Sequence, residues 1–375
     1  MRPLIPLALM IGIASAAVTQ AQSQQTYFVA SNGTDISTCG RSSTTACRSI
    51  SYAAQLAPEG SKILVGPGRY GDSNRNGVLG DPGDEIPCPN EGSVVCIGIG
   101  PMGPKRLTVQ STGGPHVTII DGGGFATSTV ALGTGTIFGG SGKGFSIVGA
   151  QLFGLWVKRG AMNVSVIGNI ASDNPDTGFS IDVPGGRTII AENICRDAAI
   201  IGFNINVLGD GQVVVDNNVA SNSGAGFLFT GGRGHQIWRN KATGNEVDGF
   251  VLSGADFFFS DNTATDNGFA GIVVGGGDDG GNHYLTRNTI VGNTGAGILI
   301  FQLIRSSRLH ANNIFGNFGC GLDVQSTPPA PAINATNNYW GAPTGPGVDP
   351  ADAVCVQANR AVVIPFSTRP FKMNH

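Results

Sequence analysis

The sequence is poor in charged residues and in long apolar segments. Only 13% of its 375 residues are charged, whereas about 25% is usual. The 22 Lys and Arg residues against 25 Asp and Glu residues leave a net charge of −3, which excludes the basic surface typical of nucleic-acid-binding proteins. After the N-terminal segment no apolar run is long enough to cross a membrane, so a membrane-spanning protein is not expected.

Familiar catalytic and metal-binding motifs are also missing. There is no Gly-x-Ser-x-Gly turn and no phosphate-binding loop. His235, His283 and His310 lack the spacing of a metal site, and we expect each of them in a turn or in the interior.

The first 21 residues have the character of an export signal. Arg2 precedes an apolar run from Leu4 to Ala17, and small residues end at Ala21. This pattern predicts a cleaved secretory signal, with an uncleaved anchor as the alternative. We therefore expect a secreted, periplasmic or extracellular protein.

Glycine is abundant, with 59 residues, and an asparagine recurs every 22 to 26 residues in the second half. A glycine followed by an apolar residue comes eight or nine residues after most of these asparagines. Such a period is the mark of a repeat architecture. The recurring asparagines are Asn169, Asn193, Asn218, Asn240, Asn262, Asn288, Asn313 and Asn338.

Each repeat alternates apolar and variable residues, as in Phe179-Ser180-Ile181, which predicts strands with one buried face. Three inward columns per repeat predict an all-β, single-stranded right-handed parallel β-helix of about ten coils. We expect the asparagines at turns, where Asn tolerates left-handed backbone and its amides stack. The column two residues after the asparagines comprises Ala171, Cys195, Ala220, Ala242, Ala264, Ile290 and Phe315.

These Asn-x-Ala/Ile repeats and Gly-Phe/Ile pairs resemble the right-handed parallel β-helix family with the pectate-lyase-like fold. Residues 27–35, 49–54 and 65–70 are similar to the start of its first coil, and 337–341 with Gly345-Pro346 to its closing segment. The family includes lyases, hydrolases, epimerases and proteins without a known reaction, so the resemblance implies a fold rather than an activity. The calcium-binding aspartates and catalytic arginine of pectate lyases do not map here, and the Asp-Pro-His-Asp element of alginate epimerases is absent.

We divide the chain into the signal (1–21), an N-terminal cap and long loop (22–104), the β-helix repeats (105–341) and a C-terminal cap or tail (342–375). Residues 48–57 are a helix candidate, because their alanines share one face and Pro58 would end the helix. We expect this helix to cover the open N-terminal end of the β-helix. Residues 125–165 are expected to form irregular coils.

The seven cysteines suggest disulfides in an exported protein, although spacing alone does not prove the pairing. Cys39 with Cys47, Cys88 with Cys96, and Cys320 with Cys355 are the candidate pairs. Cys195 is left over on an alanine column, which favours a buried apolar residue over a nucleophile.

One outward face gathers polar residues on three adjacent coils. These are Trp156, Lys158, Ser180, Asp182, Asn204 and Asn206, which we call the polar patch. An aromatic ring beside hydrogen-bonding groups suits a sugar, so Trp156, Ser180, Asn204 and Asn206 are substrate-binding candidates. Lys158 is a candidate to bind a uronate carboxylate or act as a base, and Asp182 to accept a proton or hold a cation. The alternative is a simple exposed ion pair between Lys158 and Asp182.

On the following coils the same face turns apolar, at Leu228, Val251, Val273, Leu299 and Phe301, which we call the apolar stripe. Bare exposure is not expected. Coverage by the chain itself or by a second copy in a homo-oligomer is favoured over a lipid site.

Residues 72–77 match the first half of a calcium loop, with candidate ligands Asp72, Asn74 and Asn76. Gly83 stands where the loop needs a glutamate. Calcium is thus a possible cofactor, and a solvated polar loop is the alternative.

Two functions follow. The first is an exported protein that binds an acidic polysaccharide and cleaves it by β-elimination, in the manner of a polysaccharide lyase. The second is a non-catalytic solenoid that binds glycan or assembles at the cell surface.

Overall fold

The computed structural model describes residues 24–85, 88, 92–99, 103–184, 186–209, 212–275, 281–301, 306–325, 332–348, 350–356 and 361–372. The chain winds into a right-handed parallel β-helix, as predicted, with about nine turns rather than the ten expected. The candidate signal at residues 1–21 lies outside the described residues.

Three parallel sheets run along the solenoid, and we label them A, B and C in the order in which each coil passes through them. Sheet A comprises Thr26–Val29, Lys62–Val65, Thr108–Ser111, Ile137–Gly139, Ser165–Ile167, Thr188–Ala191, Val213–Asp216, Gln236–Trp238, Phe258–Ser260, Tyr284–Thr286, Arg308–His310, Ile333–Asn334 and Ala361–Val362. Sheet B comprises Gly68–Gly71, Thr118–Asp121, Ser146–Val148, Ile170–Ser172, Ile194–Arg196, Val219–Ser221, Lys241–Thr243, Thr263–Thr265, Thr289–Val291 and Asn313–Phe315. Sheet C comprises Ser93–Ile97, Ser128–Leu132, Phe153–Val157, Thr177–Val183, Ile201–Val207, Ala225–Arg233, Phe250–Ala255, Ile272–Gly275, Ile298–Phe301, Leu322–Val324 and Val354–Val356.

The interior of sheet C explains the recurring glycine-phenylalanine pair. The rings of Phe179, Phe203 and Phe227 stack with centroids 4.7 Å apart, which matches the spacing between coils. Burying each phenylalanine contributes about 1.5–3 kcal/mol. The glycine before the ring is needed for space, since a Cβ at Gly178 would lie 2.1 Å from the sulfur of Cys195.

Buried asparagines form a ladder at the turn between sheets A and B. In each step the backbone N–H and the side-chain amide of one asparagine both donate to the side-chain oxygen of the next. From Asn218 to Asn240 these distances are 3.0 and 2.9 Å. The ladder runs through Asn169, Asn193, Asn218, Asn240, Asn262, Asn288, Asn312 and Asn338.

The structure corrects two details of this prediction. Asn312 rather than Asn313 belongs to the ladder, and the shift turns Ile314 inward in place of Phe315. The left-handed conformation is adopted by the residue before each ladder asparagine, for example Glu192 at φ 57° and Arg239 at φ 56°. The asparagine side chain therefore serves the hydrogen bonds, and its neighbour makes the turn.

A second ladder, which the repeat pattern did not bring out, lies between sheets B and C. Asn245, Asn267, Asn293 and Asn317 follow the first ladder by five residues, and Asp352 ends the series. The second ladder is visible in the sequence as asparagines five residues after those of the first ladder.

The coils begin earlier and end later than the sequence indicated. Thr26–Val29 already pairs with Lys62–Val65, and regular strands run through residues 125–165. Val354–Val356 and Ala361–Val362 extend sheets C and A, so these parts of the tail belong to the solenoid. The predicted helix spans Ile50–Leu56, and its buried face packs on the first strands of sheets A and C.

Three disulfides join the predicted cysteine pairs, Cys39–Cys47, Cys88–Cys96 and Cys320–Cys355. Cys195 is a buried free thiol, and burial raises its pKa to about 12, so it is not a reactive nucleophile. None of the helices in the described residues is long and apolar enough to span a membrane.

Candidate functional site

The polar patch lies on the outer face of sheet C, on the strands Phe153–Val157, Thr177–Val183 and Ile201–Val207 and directly after the first of them. Register pairs Trp156 with Ser180, Ser180 with Asn204, and Asp182 with Asn206. Val157 pairs with Ile181, and Lys158, directly after the end of its strand, therefore follows on the coil next to Asp182. The predicted juxtaposition over three coils is therefore present.

The carboxylate of Asp182 is held from both neighbouring strands. The indole nitrogen of Trp156 donates to its Oδ2 at 3.3 Å, and the Asn206 amide donates to its Oδ1 at 3.1 Å. All three side chains are half-buried. Such a chain of hydrogen bonds across three strands limits the rotation of each group and presents them in one orientation.

Ser180 differs from the expectation of an open surface. It faces outward, but only 2% of it is exposed, because its neighbours on the two flanking strands and on its own cover it. Its hydroxyl cannot contact a ligand in this conformation. Asn204 is half-buried.

The N-terminal edge of the patch is a wall made by the two preceding strands of sheet C, Ser93–Ile97 and Ser128–Leu132, and by loop residues that flank the first of them. Cys96, Ile99 and Ala131 form a small apolar cluster outside the main core, and Cys88 and Trp156 pack against it. The disulfide Cys88–Cys96 pins this wall in place. Trp156 is thus packed against this wall on its N-terminal side, and its side chain as a whole is half-buried.

A pocket of about 310 Å³ opens beside this wall, where the strands of sheet C end. Ile99, Thr134, Lys158 and Arg159 line it, together with glycines at positions 98, 103, 133 and 160. Sequence reasoning found Lys158 but missed Arg159. The sequence does indicate Arg159, because Lys158 and Arg159 are two adjacent basic residues between the end of a strand and Gly160.

The apolar stripe is partly covered by the chain itself. Val273 and Leu299 are only 4% and 9% exposed and cluster with Ala270 and Ala296, while Val251 packs against them. Leu228 is half-buried, and Phe301 stays exposed with its ring against Gly275. Self-coverage accounts for the middle of the stripe, and a homo-oligomer through its remaining residues stays a prediction.

The candidate calcium loop folds as a set of hydrogen-bonded turns. Asp72 accepts the backbone N–H groups of Asn76 and Gly77 at 3.2 and 2.8 Å. The side-chain oxygens of Asn74 and Asn76 also accept backbone N–H groups, and their amides point at Asp81. In this conformation the side-chain oxygens of Asp72, Asn74 and Asn76 each accept backbone N–H groups, and calcium binding there stays a prediction.

A buried acidic cluster that sequence reasoning overlooked joins this loop to the cap helix. Glu85 accepts the N–H groups of Ile50 and Ser51 at 3.0 and 2.6 Å. Asp35 accepts those of Arg48 and Ser49 at 2.8 and 2.9 Å. Desolvation raises the pKa of Glu85 to about 7, against the opposing effect of these hydrogen bonds.

Comparison with known proteins decides the family. The sequence profile of the family described as periplasmic copper-binding protein (NosD) matches residues 146–345, more than half of the chain. This protein belongs to the NosD family. The matched residues include the strands that carry Trp156, Asp182 and Asn206. No curated protein is significantly similar in sequence to this NosD-family chain.

Solved structures share the fold of this NosD-family protein at low identity. A pectate lyase aligns with 92% of the chain and 80% of its own, at 18% identity and a TM-score of 0.54. A mannuronan C-5 epimerase A-module from Azotobacter vinelandii aligns over 77% of the chain and 71% of its own, at 18% identity and a TM-score of 0.48. A lacto-N-biosidase from Eubacterium ramulus aligns over 91% and 68%, at 13% identity and a TM-score of 0.47. At such identity the pectate lyase likeness shows the fold alone.

Proposed function

We propose that this NosD-family β-helix binds an acidic polysaccharide on the outer face of sheet C. The observation that carries the proposal is the hydrogen-bonded series Trp156–Asp182–Asn206, a half-open indole beside fixed polar groups. A sugar ring has apolar faces that pack on an indole and hydroxyl edges that bond to carboxylate and amide groups. The pectate lyase of the same fold is named for an acidic polysaccharide, which supports this substrate class.

Cleavage by β-elimination is the finer proposal. A base removes the C5 proton of the uronate, a C4–C5 double bond forms, and the C4–O bond breaks with the electron pair leaving on oxygen. Lys158 beside Asp182 is the pair that the patch offers for accepting the proton and for steadying charge. An absorbance screen for unsaturated uronate, against pectate, alginate and glycosaminoglycans with and without calcium, tests it. Product would support a lyase, and glycan binding without product would support the alternative, a non-catalytic binding solenoid.

The residues that the structure describes do not favour copper chemistry, although the family's description names copper. Copper sites use thiolate, thioether and imidazole ligands. Six cysteines form disulfides, and His235 and His283 are buried with ring nitrogens accepting backbone N–H groups. Among the His, Cys, Asp and Glu side chains of the described residues, Asp35, Cys39 and Cys47 are the one group of three that converges, and its two sulfurs are bonded to each other.

An extracytoplasmic location is part of the proposal. Three disulfides are typical of an oxidising compartment, and the family is described as periplasmic.

Replacing the indole tests the binding face directly. Trp156→Ala should weaken glycan binding at least tenfold, about 1.4 kcal/mol, because the apolar contact and the hydrogen bond to Asp182 are both lost. Affinity electrophoresis through gels containing pectate or alginate measures this. Phe258→Ala is the matched control, since Phe258 is an exposed ring on sheet A, 55% exposed, away from the patch. Equal retardation of both variants would contradict the proposal.

A further inference from the structure

We propose that this glycan site receives the end of an acidic chain and does not let the chain run through. This inference rests on the proposed function. Lys158 and Arg159 would bind the anionic group of the terminal sugar in the pocket, and the following sugars would cross Trp156 toward Asp182 and Asn206.

The first argument is that the outer face of sheet C is closed on one side of Trp156. Outward positions on the two preceding strands are Cys96 and Ala131, which are 4% and 0% exposed. Ile99 and the disulfide to Cys88 lie over them. A glycan lying on Trp156 therefore meets a covalently pinned wall and cannot continue along the sheet in that direction.

The second argument is the shape and charge of the space at the foot of the wall. Its volume of about 310 Å³ is at the lower end of the range for ligand pockets, enough for about one or two sugar units. Lys158 and Arg159 both line it, and no acidic side chain does so among the residues that the structure describes. A guanidinium fork with a neighbouring ammonium is a suitable receptor for a carboxylate or a sulfate.

The third argument is that the polar surface narrows beyond the pocket. The next strand presents Leu228 at the position that pairs with Asn204, whereas polar residues continue in the column of Asn206 at Thr230 and Ser253. The wider part of the surface, from Trp156 to Asn204 and Asn206, is about two coil spacings tall, roughly 10 Å. Together with the pocket, this wider part accommodates a few sugars.

Counting chain ends tests the proposal. Polygalacturonate and alginate are each hydrolysed to sets of fragments that have the same uronate mass and increasing numbers of ends, and protein binding to each set is measured by calorimetry. If the site takes ends, the moles of protein bound at saturation rise in proportion to the ends, and affinity stops increasing beyond short oligomers. Capacity that follows uronate mass regardless of the number of ends would overturn the inference.

Variants separate the two levels of the proposal. Arg159→Ala should weaken binding of short uronate oligomers about tenfold, whereas Arg196→Ala, the same charge change at an exposed position on sheet B, should leave it unchanged. If Trp156→Ala abolishes polymer binding while Arg159→Ala and the number of ends have no effect, chain-end recognition fails and the glycan face stands. If no polyuronate binds the wild-type protein, both proposals fail.

Discussion

Side chains in this molecule act through the neighbours that the coil spacing provides. Asp182 is oriented because Trp156 and Asn206 stand one coil below and one coil above it. Glu85 is buried because the loop that carries it folds onto the cap helix, and two backbone N–H groups from the start of that helix partly offset the desolvation. In both cases the chemistry of the residue depends on chain segments distant in sequence.

The raised pKa of Glu85 predicts a pH-dependent stability. A carboxyl whose folded-state pKa is about 7 contributes stability that is fully present below its unfolded value near 4.5 and is lost as pH rises through 7. Glu85→Gln removes this titration, so the melting temperature of the variant should approach that of the wild type as pH rises from 5 to 8. Burial lowers the pKa values of His235 and His283 to about 4, so their contribution to stability is lost as pH falls. This effect is the same in both proteins and does not change the difference between them.

Thermal melts at several pH values measure this difference between the two proteins. Asp35, which raises the pKa of Glu85 further, and Tyr70, whose pKa is raised first by burial and then by Glu85, remain in both proteins. A gap between wild type and variant that stays constant over this pH range would show that Glu85 does not titrate there.

At the level of elements, the turns between strands are stabilised by side chains that form hydrogen bonds with the backbone. The two asparagine ladders supply buried backbone groups with partners where the strands break, and the left-handed residue before each ladder asparagine lets the chain turn. The loop at residues 72–78 uses Asp72, Asn74 and Asn76 in the same local manner.

A middle position of the first ladder should be costly to remove. Asn262→Ala would leave the Ile237 carbonyl and the Asn240 N–H without the partners they have at 2.9 Å each. Two unsatisfied buried groups predict a loss of about 2–5 kcal/mol, measured by urea unfolding. Asn204→Ala, the same change on the outer face, should cost about 0.5 kcal/mol or less. Similar losses for the two variants would contradict the role of the ladder.

Calcium binding to the loop is a separate prediction. If Asp72, Asn74 and Asn76 bind the ion, the loop must exchange backbone N–H partners for the cation, and calcium should raise the melting temperature by mass action. Asp72→Ala should abolish the increment, with Asp323→Ala as a control carboxylate on sheet C. An unchanged wild-type melt at saturating calcium would end the idea.

On the scale of the whole molecule, the solenoid is stabilised by contacts between neighbouring coils, so its ends are its weak points. The cap helix and Cys39–Cys47 lie at one end, and Cys320–Cys355 joins the last strands of sheet C at the other.

Removing the C-terminal disulfide should therefore act locally. For a separation of 35 residues, the loss of Cys320–Cys355 predicts a destabilisation of about 3–4 kcal/mol. In the double variant Cys320→Ser with Cys355→Ser, hydrogen exchange should accelerate in strands near Leu322–Val324 and remain unchanged near Thr26–Val29. The double variant of Cys39 and Cys47 should show the reverse. Uniform acceleration along the chain would indicate that the solenoid unfolds as one unit.

Much of the architecture can be predicted from the sequence, because the same pattern of residues recurs in each coil. Recurring asparagines, glycine-phenylalanine pairs and inward columns define the coil, and an alanine-rich face followed by proline defines the cap helix. Where a repeat offers two equivalent residues, as at Asn312 and Asn313, the pattern cannot choose between them. The hydrogen bonds from Asn288 and to Asn338 select Asn312.

By itself, the sequence determined the coil and the placement of Trp156, Asp182 and Asn206 on one face, because both depend on period and register. It offered the cysteine pairs as candidates, and the structure joins them. Only the tertiary structure decided that Ser180 is covered, that a loop walls off one side of Trp156, and that Arg159 shares a pocket with Lys158. These features arise where irregular loops fold onto the regular solenoid. No periodicity constrains such loops, so their contacts depend on packing between distant segments.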